Sequence, residues 1–243
     1  MIRPEYLGVI GMGGKPVVAF FDMDHTIIGI GCSVSWKYFL VDRGLAPEGD
    51  RAKADYYWKL YCLGNTPVDE FIEFQYREFS GKTVDEMRSL ACCHFEECIR
   101  PYIYHGAQEK IREFSRKGIP TALVTGTNRY IAEPIAEAME ITTLLPTEPE
   151  IVDGKFTGGY IPPFLLKEGK ITKAESHSRE LGVLLDQASF FGDSVNDIEL
   201  LAKVGHPVVV NPGEKLLAVA EENSWPVERW EVKPICRNTT KTG

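Results

Sequence analysis

The run Pro16-Val17-Val18-Ala19-Phe20-Phe21, followed at once by Asp22-Met23-Asp24-His25-Thr26, constrains this chain more than any other stretch. A continuous apolar segment, preceded by Gly13 and Gly14 and followed by polar residues, reads as a strand buried on both faces, the kind found in helix-covered parallel sheets. Ligands of open α/β sheets bind beyond the carboxyl ends of such strands, and the two aspartates fall there. Side chains two apart on extended backbone point the same way, so Asp22 and Asp24 are expected to converge on one small volume. Two ionised carboxylates there are costly unless a cation stands between them or one keeps its proton. Both solutions remain open at this point, as does an acidic loop that merely closes a core strand.

The same arrangement recurs along the chain. Leu123-Val124-Thr125-Gly126-Thr127 and Phe190-Phe191-Gly192-Asp193-Ser194-Val195-Asn196-Asp197 are apolar runs that end in polar groups, and Lys170 opens a helical stretch between them. Singly, each has a plain reading: Thr125, Thr127 and Asp197 as helix caps, Lys170 as a solvated first-turn lysine. Taken in order with Asp22-x-Asp24-x-Thr26, they resemble the four motifs of the haloacid dehalogenase superfamily of phosphoryl-transfer enzymes. The likeness is strongest to its phosphoserine phosphatase-like branch and runs from about Val17 to Trp225, ending in Val208-Val209-Val210-Asn211-Pro212, a helix and Trp225-Pro226.

The resemblance implies a role for each residue. Asp22 would be the nucleophile and would carry an aspartyl-phosphate; Asp24 would be the general acid and base. Mg²⁺ would be held by Asp22, Asp193 and the backbone carbonyl of Asp24. Lys170 would offset the charge of Asp22 and of the phosphate, with Lys167 its rival three residues earlier. Thr125 and the Gly126 amide would bind phosphate oxygens, Asn196 the phosphate or the substrate, and Asp197 would orient the ligand sphere or Lys170. The chemistry is coherent: a carboxylate forms a mixed anhydride reactive enough to hydrolyse, a second carboxyl moves the proton, and hard oxygen ligands suit Mg²⁺ better than zinc.

Coarse structure fits an α/β doubly wound, Rossmann-like parallel sheet with an inserted α-helical cap and a small β-hairpin. Residues 1–30 and 101–243 are expected to form the core and residues 31–100 the cap. Within the cap, Ser33 is expected to start a helix, Arg51–Leu63 to form another, Thr66-Pro67 to cap a third, and Thr83-Val84-Asp85-Glu86 to be a capping box. Further on, helices are expected over Tyr104–Lys117, Asn128–Glu140, Lys170–Leu181 and Asp197–Val204, and strands over Ile119–Val124, Ala188–Phe191 and Val208–Val210. Asp153-Gly154 marks the turn of the hairpin. The glycine-rich residues 1–15 are expected to be an irregular lead-in or a short edge element, and residues 233–243 a frayed polar tail.

Composition narrows the partners. A net charge of −8 gives no basic footprint for nucleic acid or for anionic membranes. No apolar run approaches the ~20 residues of a membrane span, and Met1-Ile2-Arg3-Pro4-Glu5 lacks a signal peptide's regions, so a cytoplasmic protein is expected. The six cysteines are too scattered for a secreted disulfide framework. Cys92-Cys93-His94, with Cys98 beyond, lacks a second ligand pair at zinc-finger spacing. The expected substrate is a small organic phosphate monoester, such as a phosphorylated amino alcohol, sugar or lipid head group. Phosphoserine is disfavoured, because the phosphatases that take it carry a glutamate shortly after the first motif and Ile30-Gly31-Cys32-Ser33 holds no acid. The aromatic-rich segment from Tyr56 to Phe79 can supply a bundle core or line a substrate pocket. A phosphotransferase using the same residues, and a non-catalytic phosphate-binding protein, remain as alternatives.

Overall fold

The computed structural model describes residues 15–232; the expectations for residues 1–14 and for the tail 233–243 lie outside the described residues. Seven strands form one sheet: β1 (Val18–Phe21), β2 (Thr121–Asn128), β3 (Thr143–Val152), β4 (Lys155–Ile161), β5 (Ala188–Gly192), β6 (His206–Val210) and β7 (Val227–Glu228), in the order β4-β3-β2-β1-β5-β6-β7. Every pairing is parallel except β3 with β4. The chain moves outward from β1 in one direction through β2 and β3, and in the other through β5, β6 and β7. The carboxyl end of β1 is therefore a topological switch point, where the crossovers diverge and a crevice opens.

The two faces of β1 show why a continuous apolar strand is needed there. Ala19 and Phe21 face a core built with Ile111 and Phe114 of α5 (His105–Arg116), Ile131 and Ile135 of α6 (Arg129–Ala138) and Trp230. Val18 and Phe20 face the opposite core, with Ile171 and Ala174 of α7 (Glu168–Glu180), Leu200 and Leu201 of α8 (Ile198–Leu201) and Leu216 of α9 (Glu214–Glu222). All four residues of β1 are buried completely.

Between β1 and α5 lie four helices: α1 (Cys32–Asp42), α2 (Asp50–Cys62), α3 (Val68–Tyr76) and α4 (Val84–His94). A π-helical turn over Phe95–Ile99 and a 3-10 turn over Arg100–Tyr102 close the segment. Its aromatics divide. Tyr57 and Phe74, with Ala54, make a small separate core, whereas Trp36, Phe39, Phe79 and Phe95 join the core beneath the sheet.

Local signals met different fates. The capping box formed: Thr83 Oγ1 accepts from the Glu86 amide at 3.3 Å, and the Thr83 amide donates to Glu86 Oε2 at 2.7 Å. Asp153 and Gly154, both at positive φ, make the two-residue turn between Val152 and Lys155. Ser33 does not cap α1, which begins at Cys32 after Gly31, and α3 follows Pro67 with no side-chain cap. β3 and β7 were not anticipated as sheet strands. The first half of β3 pairs in parallel with β2 and its second half pairs antiparallel with β4, so the hairpin is an antiparallel extension at the edge of the sheet.

No described helix is long and apolar enough to cross a membrane. The five cysteines among the described residues are free. Cys92 and Cys93 are exposed, whereas His94 is buried and hydrogen-bonded to Ser35 Oγ at 2.9 Å, so this cluster does not converge on a common point.

Candidate active site

Asp22 is the last residue that β1 ties to the sheet, its amide donating to the Phe191 carbonyl at 2.9 Å. The chain then turns tightly, with the amides of Thr26, Ile27 and Ile28 all directed at the Met23 carbonyl and His25 at φ 58°. This turn separates the two aspartates. Asp22 enters a cluster with Asp193 and Asp197, whose nearest carboxylate oxygens all lie within 4.8 Å of one another. Asp24 sits beside the cluster, its Oδ1 accepting from the Cys32 amide at 2.5 Å and its Oδ2 from the Thr127 hydroxyl at 3.2 Å.

Lys170 binds the cluster from within. Its Nζ donates to Asp22 Oδ1 and to Asp197 Oδ1, both at 2.7 Å, and the side chain is only 2% exposed. Gly169 makes this approach possible: a Cβ there would stand 1.9 Å from the Phe164 carbonyl oxygen, so any side chain would push the start of α7 away. Lys167 does not share the site. Its Nζ donates instead to the Gly64 carbonyl at 2.7 Å, across the gap to the turn after α2.

The loop after β5 supplies the rest. Gly192 lets it fold back, since a Cβ there would lie 3.0 Å from Asp197. Asp197 Oδ2 accepts from the Ser194 amide at 3.2 Å and the Ser194 hydroxyl at 2.9 Å, so both of its oxygens are committed. Asp193 Oδ1 accepts from Thr26 Oγ1 at 3.2 Å. Asn196 Nδ2 donates to the Tyr61 carbonyl at 3.1 Å, while its Oδ1 is buried without a partner. Thr125 Oγ1 accepts from the Thr127 amide at 3.1 Å, and Asn128, not either threonine, caps α6. Thr26, Thr127 and the Cys32 amide were not singled out in the sequence as site groups. Thr26 and Thr127 had a signal, since each lies inside a quoted motif two residues beyond an expected site residue.

Electrostatics set this cluster apart. Burial pushes the Asp22 carboxyl up to about 7, against the pull of Lys170 and with Asp197 adding to the rise. Burial also raises Asp193 well above the ordinary carboxylate range, reinforced by Asp22 and Asp197, and it raises Asp24. Desolvation works against the Lys170 ammonium, but Asp197 and Asp22 outweigh it and hold it charged. One lysine thus stands among three crowded carboxylates and bonds two of them, and Asp22 Oδ2 is left buried with no partner at all. The convergence of the Asp22, Asp193 and Asp197 carboxylates, an all-oxygen donor set with more negative charge than Lys170 offsets, fits a hard divalent cation.

Asp22, Asp24, Thr125, Gly126 and Lys170 line one cleft of about 820 Å³, open mouth included, whose other wall comes from α2, α3 and the Phe164–Leu166 segment.

A family model for haloacid dehalogenase-like hydrolases matches residues 19–202. The chain belongs to that family. Among its relatives, a histidinol-phosphatase of Neisseria meningitidis is 31% identical over 215 residues, covering 86% of this chain and 97% of the relative. A phosphoserine phosphatase of Mycobacterium tuberculosis is 28% identical over 223 residues, covering 88% of this chain and 71% of the relative. Among solved structures, a Bordetella pertussis protein of unknown function superposes with a TM-score of 0.80 at 29% identity, covering 88% of this chain and 98% of that one. A phosphoserine phosphatase captured as a phospho-aspartyl intermediate analogue superposes with a TM-score of 0.65 at 18% identity, covering 88% and 93%. That last likeness concerns the fold. Family and relatives together make this chain an enzyme of the phosphatase type.

Proposed function

We propose that the protein is a Mg²⁺-dependent phosphatase that hydrolyses a small phosphate monoester through an aspartyl-phosphate on Asp22. The observation that carries this reading is the division of labour on Asp22: Oδ1 is held by Lys170, and Oδ2 is free at the floor of the cleft. Oδ2 attacks phosphorus as the ester P–O bond breaks, and Asp24 delivers a proton to the departing alkoxide oxygen. The raised Asp24 carboxyl suits that donation. Once ionised, Asp24 takes a proton from water, whose oxygen displaces Asp22 from phosphorus and releases inorganic phosphate. Thr127 and the Cys32 amide fix the aim of Asp24 in both steps. Lys170 and the hydroxyl of Thr125 oppose the charge on the transferring group. Asp22, Asp193 and the Asp24 carbonyl would hold Mg²⁺, which supplies further charge neutralisation of the phosphoryl oxygens when bound.

The segment of residues 31–100 acts in this reading as a cap over residues 1–30 and 101–243, excluding water and choosing the leaving group. Apart from Asp22, Asp24 and Lys170, the cleft is lined by no charged side chain. A phosphoserine headgroup carries a carboxylate beside its ammonium, and the one cationic side chain that lines the cleft, Lys170, is already committed to Asp22 and Asp197. The ester of an amino alcohol without the carboxylate fits better, and histidinol phosphate is the leading candidate because a relative covered over 97% of its length is named a histidinol-phosphatase. The test is phosphate release from a panel holding histidinol phosphate, phosphoserine and sugar phosphates, with Mg²⁺ or chelator, using wild type and Asp22→Asn. Metal-dependent turnover lost in the variant is expected; equal turnover by the variant, or full activity in chelator, would refute the reading.

A further inference from the structure

The cleft wall facing the carboxylates is aromatic and already ordered. Trp58 stacks on Tyr61 with centroids 5.4 Å apart and planes 15° from parallel, and Phe71 meets Phe164 edge-on at 6.2 Å. These aromatic side chains give the cleft an apolar lining on which a flat group can rest. Two hydroxyls in this wall have no partner: Tyr76 OH, on a residue only 4% exposed, and Thr66 Oγ1. Neither is explained by the fold. Thr66 stands where a helix cap is expected, immediately before Pro67, yet α3 starts without a side-chain cap and the hydroxyl stays free. Tyr76 ends α3, and burial keeps its phenol protonated, able to donate as well as accept. A buried hydroxyl without a partner is costly in a folded protein, and a ligand that supplies the missing bond removes that cost.

We propose that Tyr76 and Thr66 are specificity-determining residues, whose hydroxyls bond polar atoms on a planar heteroaromatic ring of the leaving group held against the Trp58 and Phe71 walls. This rests on the phosphatase reading above and adds the feature of the substrate that the cleft reads. A site built to bond a polar atom rejects the analogue that lacks it far more strongly than an apolar slot rejects a small change of shape. The ring's nitrogens, not its area, are therefore the recognised feature.

The experiment compares imidazolylethyl phosphate with phenylethyl phosphate, two esters that share a linker and a flat ring and differ mainly in ring nitrogens. Wild type with Mg²⁺ is expected to prefer the imidazolyl ester by at least about tenfold in kcat/KM, mostly through KM. Tyr76→Phe, and separately Thr66→Val, should each reduce that preference several-fold by raising KM for the imidazolyl ester, with circular dichroism and thermal unfolding showing that the variants are folded. Equal use of both esters by wild type, or an undiminished preference in both variants, would overturn the inference and leave the phosphatase reading standing. A stronger preference for phosphocholine would overturn it too, since the walls would then be reading a cation. Release from neither ester in an Asp22-dependent manner would overturn both readings.

Discussion

Two regions of this molecule bury charge, and they do so in opposite ways. In the helical segment, Lys37 is completely buried between α1 and α3, yet its ammonium reaches the Phe74 carbonyl and Glu78 and lies 4.2 Å from the Phe74 ring centroid. His94 is likewise buried, bonded to Ser35 and edge-on to Trp36 and Phe39. Each has the partners its surroundings allow. At the switch point of the sheet, one lysine stands among three carboxylates and bonds two of them, and Asp22 Oδ2 is left with nothing. Completed polar networks hold a fold together, whereas an incomplete one at a cleft waits for a ligand. The rule needs the cleft as well as the orphan: His25 Nε2, Trp36 Nε1, Ser178 Oγ and Asn196 Oδ1 are also unpartnered, but they line no part of this pocket.

The contrast is broken most directly by exchanging its two lysines. Lys170→Met should lower turnover by at least about a hundredfold and cost about 3–5 kcal/mol of stability, because two buried carboxylates lose their cation. That cost should shrink in acid, where the carboxylates protonate. Lys37→Met should leave turnover intact and cost about 1 kcal/mol, since Glu78 keeps Arg77. Steady-state kinetics and urea unfolding measure both, and equal effects of the two substitutions would contradict the comparison.

Metal is the next lever. A cation that binds only the folded protein adds about 2.7 kcal/mol at a hundred times its Kd, so Mg²⁺ should raise Tm in wild type and do so much less in Asp193→Asn. An undiminished Tm shift in the variant would remove Asp193 from the ligand set.

Acid separates the regions by sign. Burial lowers the His94 imidazole to about 3, against an ordinary value of 6.5. Between those limits the unfolded chain binds a proton that the folded chain does not, so this contribution is full above about 6.5 and is lost as pH falls, by at most about 1.4 kcal/mol per unit. Asp22, whose carboxyl is raised, works the other way in metal-free protein, losing stability as pH rises toward about 7. Urea midpoints across pH 4–7 should flatten on the acid side in His94→Gln; an unchanged slope would show that another group carries it. The smallest effect is expected from Thr127→Val, which frees one oxygen of Asp24: a loss of about tenfold in kcat, on the scale of one hydrogen bond, with KM little changed.

Much of this was legible in the sequence, for reasons that differ by residue. Asp22, Thr125 and Asp193 could be placed because each follows a run of residues apolar enough to be a strand buried on both faces. Strand ends are also where backbone direction is best fixed. Lys170 could be chosen over Lys167 only on the resemblance of Gly169-Lys170-Ile171 to a motif. The physical reason, the approach of the Phe164 carbonyl to Gly169, belongs to tertiary structure. β3 was hidden because Thr143-Leu144-Leu145-Pro146-Thr147 is short, contains a proline and runs straight into the hairpin that dominated its reading. Thr66 looked like a cap because local spacing said so, and only the packing of α3 frees its hydroxyl for the cleft. The bond from Thr127 to Asp24 spans 103 residues and has no local signature beyond the motif itself.

The central claim is that the free oxygen of Asp22 forms the covalent intermediate. The most direct measurement is a single turnover with a hydrolysed ester, quenched and reduced to trap an acyl phosphate, followed by peptide mapping. The account predicts a reduced aspartate at position 22 and at no other carboxylate, together with retention of configuration at phosphorus when a chiral ester is used. Trapping at another residue, or inversion at phosphorus, would contradict it.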